Sequence, residues 1–249
     1  GHPEAYPYPH SCGLLAGFEA SKGSDQYLTL YRNSFMHNNG RNPLIAANGC
    51  VVEVVNNLLY NCQGEVMCVV RLRDSRIAAS PRVNIIGNHY LWGPDDSARR
   101  RRMMAVQIED AGGTLAVDDA SIYSRDNLHG HVGPGVNQFA ALCDPRGRAR
   151  GPADSDDDRV TRKQRGEPWP TRAVPLRTEN SESVLAAVSR SVGADHPRWD
   201  TVDARLMKEL AARSGRTGFG PQDAPLRHPT LEPGRPIEDS DADGMPDAY

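Results

Sequence analysis

Residues 28–45, LTLYRNSFMHNNGRNPLI, decide the fold. Leu28 and Leu30 alternate with Thr29 and Tyr31, which is the period of two of a strand with one apolar face. Asn33 ends the alternation, Phe35 begins a second short apolar piece, and His37 to Gly40 form a polar turn ahead of Arg41, Asn42 and Pro43. The same plan returns in residues 52–57, VEVVNN, followed by Leu58 to Tyr60, and in residues 83–88, VNIIGN, followed by Tyr90 and Leu91. Asn33, Asn57 and Asn88 therefore recur at intervals of 24 and 31 residues. A unit of that size cannot bury its own apolar face, so neighbouring copies must stack to make the core. Asparagine suits each bend, because its side chain bonds to the backbone of the next copy and tolerates a left-handed conformation.

This pattern predicts an all-β fold, a partial right-handed parallel β-helix with C-terminal loops and two short helices. A weaker fourth copy lies at residues 122–127, IYSRDN, with 92–121 as an elongated loop between copies. Residues 13–17, GLLAG, are an apolar run of strand length. A leucine-rich horseshoe is the structural rival, and the leucine spacing it needs is missing.

Outward from the repeats, the chain divides into rungs and their loops at 1–143, a charged linker at 144–179 and a helical extension at 180–249. The linker is rich in glycine, proline and charge and nearly free of aliphatics. In the extension, Val184, Val188 and Val192 recur every four residues, with Asn180 or Ser181 to cap a helix and Gly193 to stop it. Val202, Leu206 and Leu210 form a second stripe, started by Thr201 or Asp203 and closed by Gly215. Both stripes are expected to pack on the rungs or on each other.

A net charge of −3 over 249 residues gives no global field for nucleic acid, and Arg99 to Arg102 read as a basic loop. No apolar run is long enough to cross a bilayer, and residues 1–10, GHPEAYPYPH, which open as though in mid-fold, show no basic-then-apolar signal segment. The five cysteines, Cys12, Cys50, Cys62, Cys68 and Cys143, lack metal-type clustering and read as buried apolar groups with room for one disulfide.

Among residues that carry chemistry, Asp239, Asp241, Asp243 and Asp247 occupy positions one, three, five and nine of a calcium-loop pattern with Gly244 at six. A solvated acidic tail is the alternative. The paired carboxylates of a glycosidase are hard to find, with Glu53 and Asp25 the only candidates near the repeats. No GxSxG motif occurs, and histidines 10, 37 and 89 are dispersed, as surface residues are. Arg41 stands between two copies, where a guanidinium suits bidentate recognition of an acidic substrate or a structural ion pair.

Taken together, residues 31–39, Arg41-Asn42-Pro43, Asn56-Asn57, Tyr60-Asn61 and 83–88 resemble the core of the pectate lyase family, specifically its bacterial secreted branch. Val192 to Ala194, Pro197 to Asp200, Val202 to Arg205 and the Asp-rich tail resemble the same branch. The resemblance implies β-elimination on polygalacturonate, an acidic plant cell-wall polysaccharide, with calcium (Ca2+) as cofactor and a secreted or periplasmic location. It implies Arg41 as the base, since desolvation and nearby cations favour the neutral form of a basic group. Lys22, His37, Arg71 and Arg73 are then the candidates for substrate binding, because a second family arginine would fall at Ala46. The calcium ligands of the cleft are expected in earlier rungs, upstream of residue 1. A monomer is expected, with no membrane or nucleic-acid partner. A homologue that binds acidic polysaccharide without cleaving it is the alternative.

Overall fold

The computed structural model describes residues 12–19, 26–62, 66–73, 81–96, 102–109, 122–129, 165–171, 176–193, 199–217, 238–241 and 247, with the backbone alone at 18–19, 66–73 and 102–109. Among the described residues, twelve strands form three parallel sheets of four. The first contains β1 (Leu15–Glu19), β4 (Leu44–Asn48), β7 (Val66–Arg73) and β10 (Arg102–Glu109). The second contains β2 (Gln26–Tyr31), β5 (Cys50–Val55), β8 (Arg82–Ile86) and β11 (Ile122–Arg125). The third contains β3 (Ser34–Met36), β6 (Leu58–Tyr60), β9 (His89–Leu91) and β12 (Leu128–His129). Each turn of the chain visits the three sheets in order, which is a parallel β-helix of four rungs. The predicted fold is the one observed.

Register explains why alternate residues are apolar. Leu28, Val52, Val83 and Ile122 fall in line across the second sheet, as do Leu30, Val54 and Ile85. These residues join Ile45 and Ala47 of the first sheet and Phe35, Leu59 and Tyr90 of the third in one interior cluster. Burying a side chain of this kind contributes about 1.5–3 kcal/mol, so the stack and not the single rung is the stable unit.

The asparagines form a ladder. Asn57 Oδ1 accepts from the Asn33 backbone N–H at 2.9 Å and from Asn33 Nδ2 at 3.0 Å. Asn88 does the same for Asn57, and Asn127 for Asn88, so the fourth copy belongs to the series. One detail differs from expectation: the left-handed residue is the one before each asparagine, namely Arg32, Asn56, Gly87 and Asp126. The bend is made by that residue, which frees the ladder side chain to point into the stack.

Other departures concern the first sheet and the extension. The segment 92–121 is not a single loop, because β10 within it pairs with β7. Helix α1 (Ser181–Ser191) is capped by Asn180, whose side chain accepts from the Glu182 N–H, and Gly193 follows its end in a left-handed conformation. Helix α2 (Thr201–Ala212) is capped by Asp200, neither by Thr201 nor by Asp203, because Asp200 reaches the N–H groups of Val202 and Asp203. It is closed by Arg213 in the left-handed conformation, two residues ahead of Gly215. Val202 of the expected stripe is 36% exposed, while Leu210 is buried. Val184, Val188 and Leu210 instead meet Leu58 and Tyr60 on the outside of the third sheet, with Met207 at the margin.

Part of the charged segment forms a strap. Arg165 N–H donates to Ile122 O, the Asn84 carboxamide bonds both backbone groups of Trp169, the Asn56 carboxamide bonds both of Glu179, and Tyr31 Oη donates to Arg177 O. Arg32 pairs with Glu179 at the same end. The strap thus runs over the second sheet from the fourth rung back to the first, opposite to the order of synthesis. Of the cysteines, Cys12, Cys50 and Cys62 are free thiols, the last two buried. The side chains of Cys68 and Cys143 lie outside the described residues.

Candidate active site

Arg41 sits where the chain leaves the third sheet after β3 and enters the first at β4. Its backbone is left-handed, with φ of 56°, and it precedes the cis Asn42-Pro43 peptide. Segment 12–14 of the previous rung runs beside this turn. Gly13 N–H donates to Gly40 O at 3.1 Å, Leu14 N–H to Arg41 O at 2.8 Å, and Leu44 N–H returns to Leu14 O at 2.9 Å. Asn42 is wholly buried and its Oδ1 accepts from Asn38 Nδ2 at 3.0 Å. Arg41 itself is half-buried.

His37, at the start of the same loop, is not a surface residue. It is 9% exposed and touches groups contributed by the C-terminal extension. Its Nε2 lies 3.1 Å from Glu209 Oε2, its Nδ1 lies 2.9 Å from Asn61 Nδ2, and its ring meets the Tyr60 ring edge-on at 5.3 Å. Burial pushes the imidazole below its ordinary range, against the pull of Glu209. Arg205 shares the Glu209 carboxylate through two bonds of 2.8 and 3.0 Å, which weakens that pull. Asn61 also joins Asp95, whose carboxylate accepts from Thr217, and Tyr60 Oη donates to Ser214 O at 2.7 Å. These contacts place His37 as an anchor of the loop to α2 and its following turn.

The remaining candidates are spread over the molecule. Arg71 and Arg73 stand in β7 of the first sheet, in register with Gln107 and Glu109 of β10, and their side chains lie outside the described residues, as does all of Lys22. Glu53 lies on the second sheet beneath the strap side, 8% exposed, and accepts from Thr29 Oγ1 at 3.0 Å. Asp25, its expected partner, is outside the described residues. Asp239, Asp241 and Asp247 bring carboxylate oxygens within 4.8 Å of one another, while Asp243 and Gly244 fall outside the description. Hydrogen bonds from Ser240 hold the Asp247 carboxyl below the usual range. This is the single acidic or metal-ligating triple among the described residues.

Sequence reasoning missed Gly13, Asn38, Asp95 and Glu209 around the arginine loop. Asn61 alone carried a usable signal, since it lies 24 residues beyond His37, the interval of the ladder itself.

No family model matches the chain. Curated relatives do. The probable pectate lyase C of Aspergillus fumigatus is 27% identical over 239 residues, covering 96% of this chain and 48% of the relative. The chain resembles pectate lyases. Proteins of the same name from Neosartorya fischeri and Aspergillus flavus are each 26% identical, over 239 and 246 residues, again at 96% and 48% coverage. The chain spans about half the length of these pectate lyase relatives. They are fungal, and so lend no support to the bacterial branch expected from the motifs.

Proposed function

We propose that the chain carries the arginine-bearing part of a polysaccharide lyase that cleaves polygalacturonate by β-elimination. The observation that supports this best is Arg41, fixed in a left-handed turn at a corner of a parallel β-helix whose relatives bear the name pectate lyase. Among the described residues the strap lies on the second sheet and the helices on the third, and we assign the first sheet, beside Arg41, as the face that meets a long polymer. In the reaction, the Arg41 guanidine takes the proton from C5 of a uronate, the electron pair forms the C4–C5 double bond, and the C4–O bond to the leaving sugar breaks. Arg71 and Arg73, on the strands of that same sheet, supply cationic positions for neighbouring carboxylates.

Calcium, when bound, neutralises carboxylate charge and acidifies the neighbouring C–H. Oxygen ligands 2.3–2.6 Å from a calcium ion stand up to roughly 5 Å apart, so the Asp239, Asp241 and Asp247 triple fits such an ion in a structural role. Among the described residues no second acidic triple stands at Arg41. The alternative reading is a homologue that binds acidic polysaccharide without cleaving it. Secretion accords with a polymeric substrate outside the cell, and no helix among the described residues is long and apolar enough to cross a membrane.

Ultraviolet absorbance of the unsaturated product during incubation with polygalacturonate, with and without calcium, tests the proposal. A rise is expected that falls by about 10²–10⁴-fold in Arg41→Ala, the usual contribution of a general base. A folded chain that binds the polymer and yields no product would leave the binding reading in place.

A further inference from the structure

We propose that Gly13, Asn38 and Asn42 are positioning residues that clamp the Arg41 turn in its left-handed form; their part in catalysis rests on the reading of Arg41 as the base. A non-glycine residue with positive φ is held there only when its surroundings over-determine it. At Arg32, Asn56 and Asp126 that work is done by the ladder, because each precedes an asparagine stacked on its neighbours. Arg41 stands outside the ladder, and two separate devices replace it.

The first device is the previous rung. Gly13 and Leu14 donate to the carbonyls of Gly40 and Arg41, so two successive peptide groups of the turn are fixed from one side. Close approach makes this possible: a Cβ on Gly13 would lie 2.5 Å from Asn42 Oδ1, 3.0 Å from Arg41 O and 3.0 Å from Phe35 Cδ1. Gly13 is thus required by contact with the arginine turn, since any side chain would push Asn42 and the Arg41 carbonyl away. The second device is the Asn38 to Asn42 hydrogen bond, which closes the loop across Arg41 from within. Among the described residues Asn42 Nδ2 is buried without a hydrogen-bond partner, so its Oδ1 alone carries the bond across the turn.

The test uses the complete chain and its Gly13→Ala and Asn38→Ala variants, with Ser183→Ala on α1 as the control. Amide hydrogen exchange at Leu14 is expected to quicken at least tenfold in both variants and to stay unchanged in the control. In the polygalacturonate assay kcat is expected to fall at least tenfold while KM stays within twofold and the melting temperature within a few degrees. Unchanged Leu14 exchange overturns the clamp, whatever the assay gives. Faster exchange with parental kcat overturns the positioning role and leaves Arg41 as base intact. A parent chain that makes no product overturns the lyase reading, and the catalytic part of this inference with it, while the exchange data still decide whether the clamp exists.

Discussion

The two corners that flank the third sheet are built on different terms. At the corner between the second and third sheets each described rung does the same thing: a left-handed residue, then an asparagine bonded to the asparagine of each neighbouring rung in the ladder. At the corner between the third and first sheets the positions in register with one another are His37 and Asn61, joined by a single contact of 2.9 Å between His37 Nδ1 and Asn61 Nδ2, and Trp92 follows in the next rung, so the pair is not continued as an asparagine ladder. His37 turns to Glu209 and Asn61 to Asp95. A corner that repeats is limited to architecture, because each side chain is consumed by its copies. The corner that stops repeating can afford loops of unequal length, and Arg41 lies on one of them.

Removing a ladder side chain is the most severe way to break this comparison. Asn57 is fully buried and its carboxamide makes bonds to Asn33, Leu30 O and Asn88. Asn57→Ala leaves several buried partners unsatisfied and is expected to cost about 3–5 kcal/mol, at about 1–3 kcal/mol per orphaned group. Urea unfolding measures it. A cost under 1 kcal/mol would show that the ladder is redundant with the strand pairing.

The strap gives an intermediate case, since the same residue type bonds to a passing backbone instead of its own copies. Asn84 makes two bonds to Trp169, at 3.0 and 2.9 Å, and the Trp169 ring lies under Arg165 at 3.9 Å. Asn84→Ala releases groups that water can reach, so the expected loss is about 1–2 kcal/mol, less than at the ladder. Proteolysis should then begin in the segment around residues 165–171 while the rungs resist. Cleavage that starts within the rungs would mean that the strap is not the weaker attachment.

The ladder was legible because its spacing is its register: the intervals of 24 and 31 residues between asparagines equal the offsets of the paired strands. The first sheet was not legible as a series. Its strands follow the unequal loops, so β4 is displaced from β1 by 29 residues and β7 from β4 by 25, and no marker residue recurs. Arg41 was singled out through the Arg-Asn-Pro sequence, whereas some of the residues that bond its turn or the loop before it come from elsewhere in space. Gly13 belongs to the rung before, and Glu209 arrives from α2, at a sequence distance over which no periodicity speaks.

The smallest effect should come from making the second corner resemble the first. His37→Asn places an asparagine opposite Asn61, in the register of a ladder. Burial lowers the pKa of His37 in the folded chain relative to the unfolded, so its contribution to stability is full above the ordinary imidazole value and is lost as pH falls through the lowered one. Glu209 and Asp95 oppose the shift and Arg205 adds to it. The wild-type chain should therefore lose more stability than His37→Asn between pH 8 and pH 5, roughly the span of imidazole titration. Parallel urea midpoints for the two proteins across that span would mean that His37 does not sense pH at this corner. A steeper fall in the variant would mean that the Glu209 pairing outweighs burial, and that protonation tightens the anchor of the arginine loop.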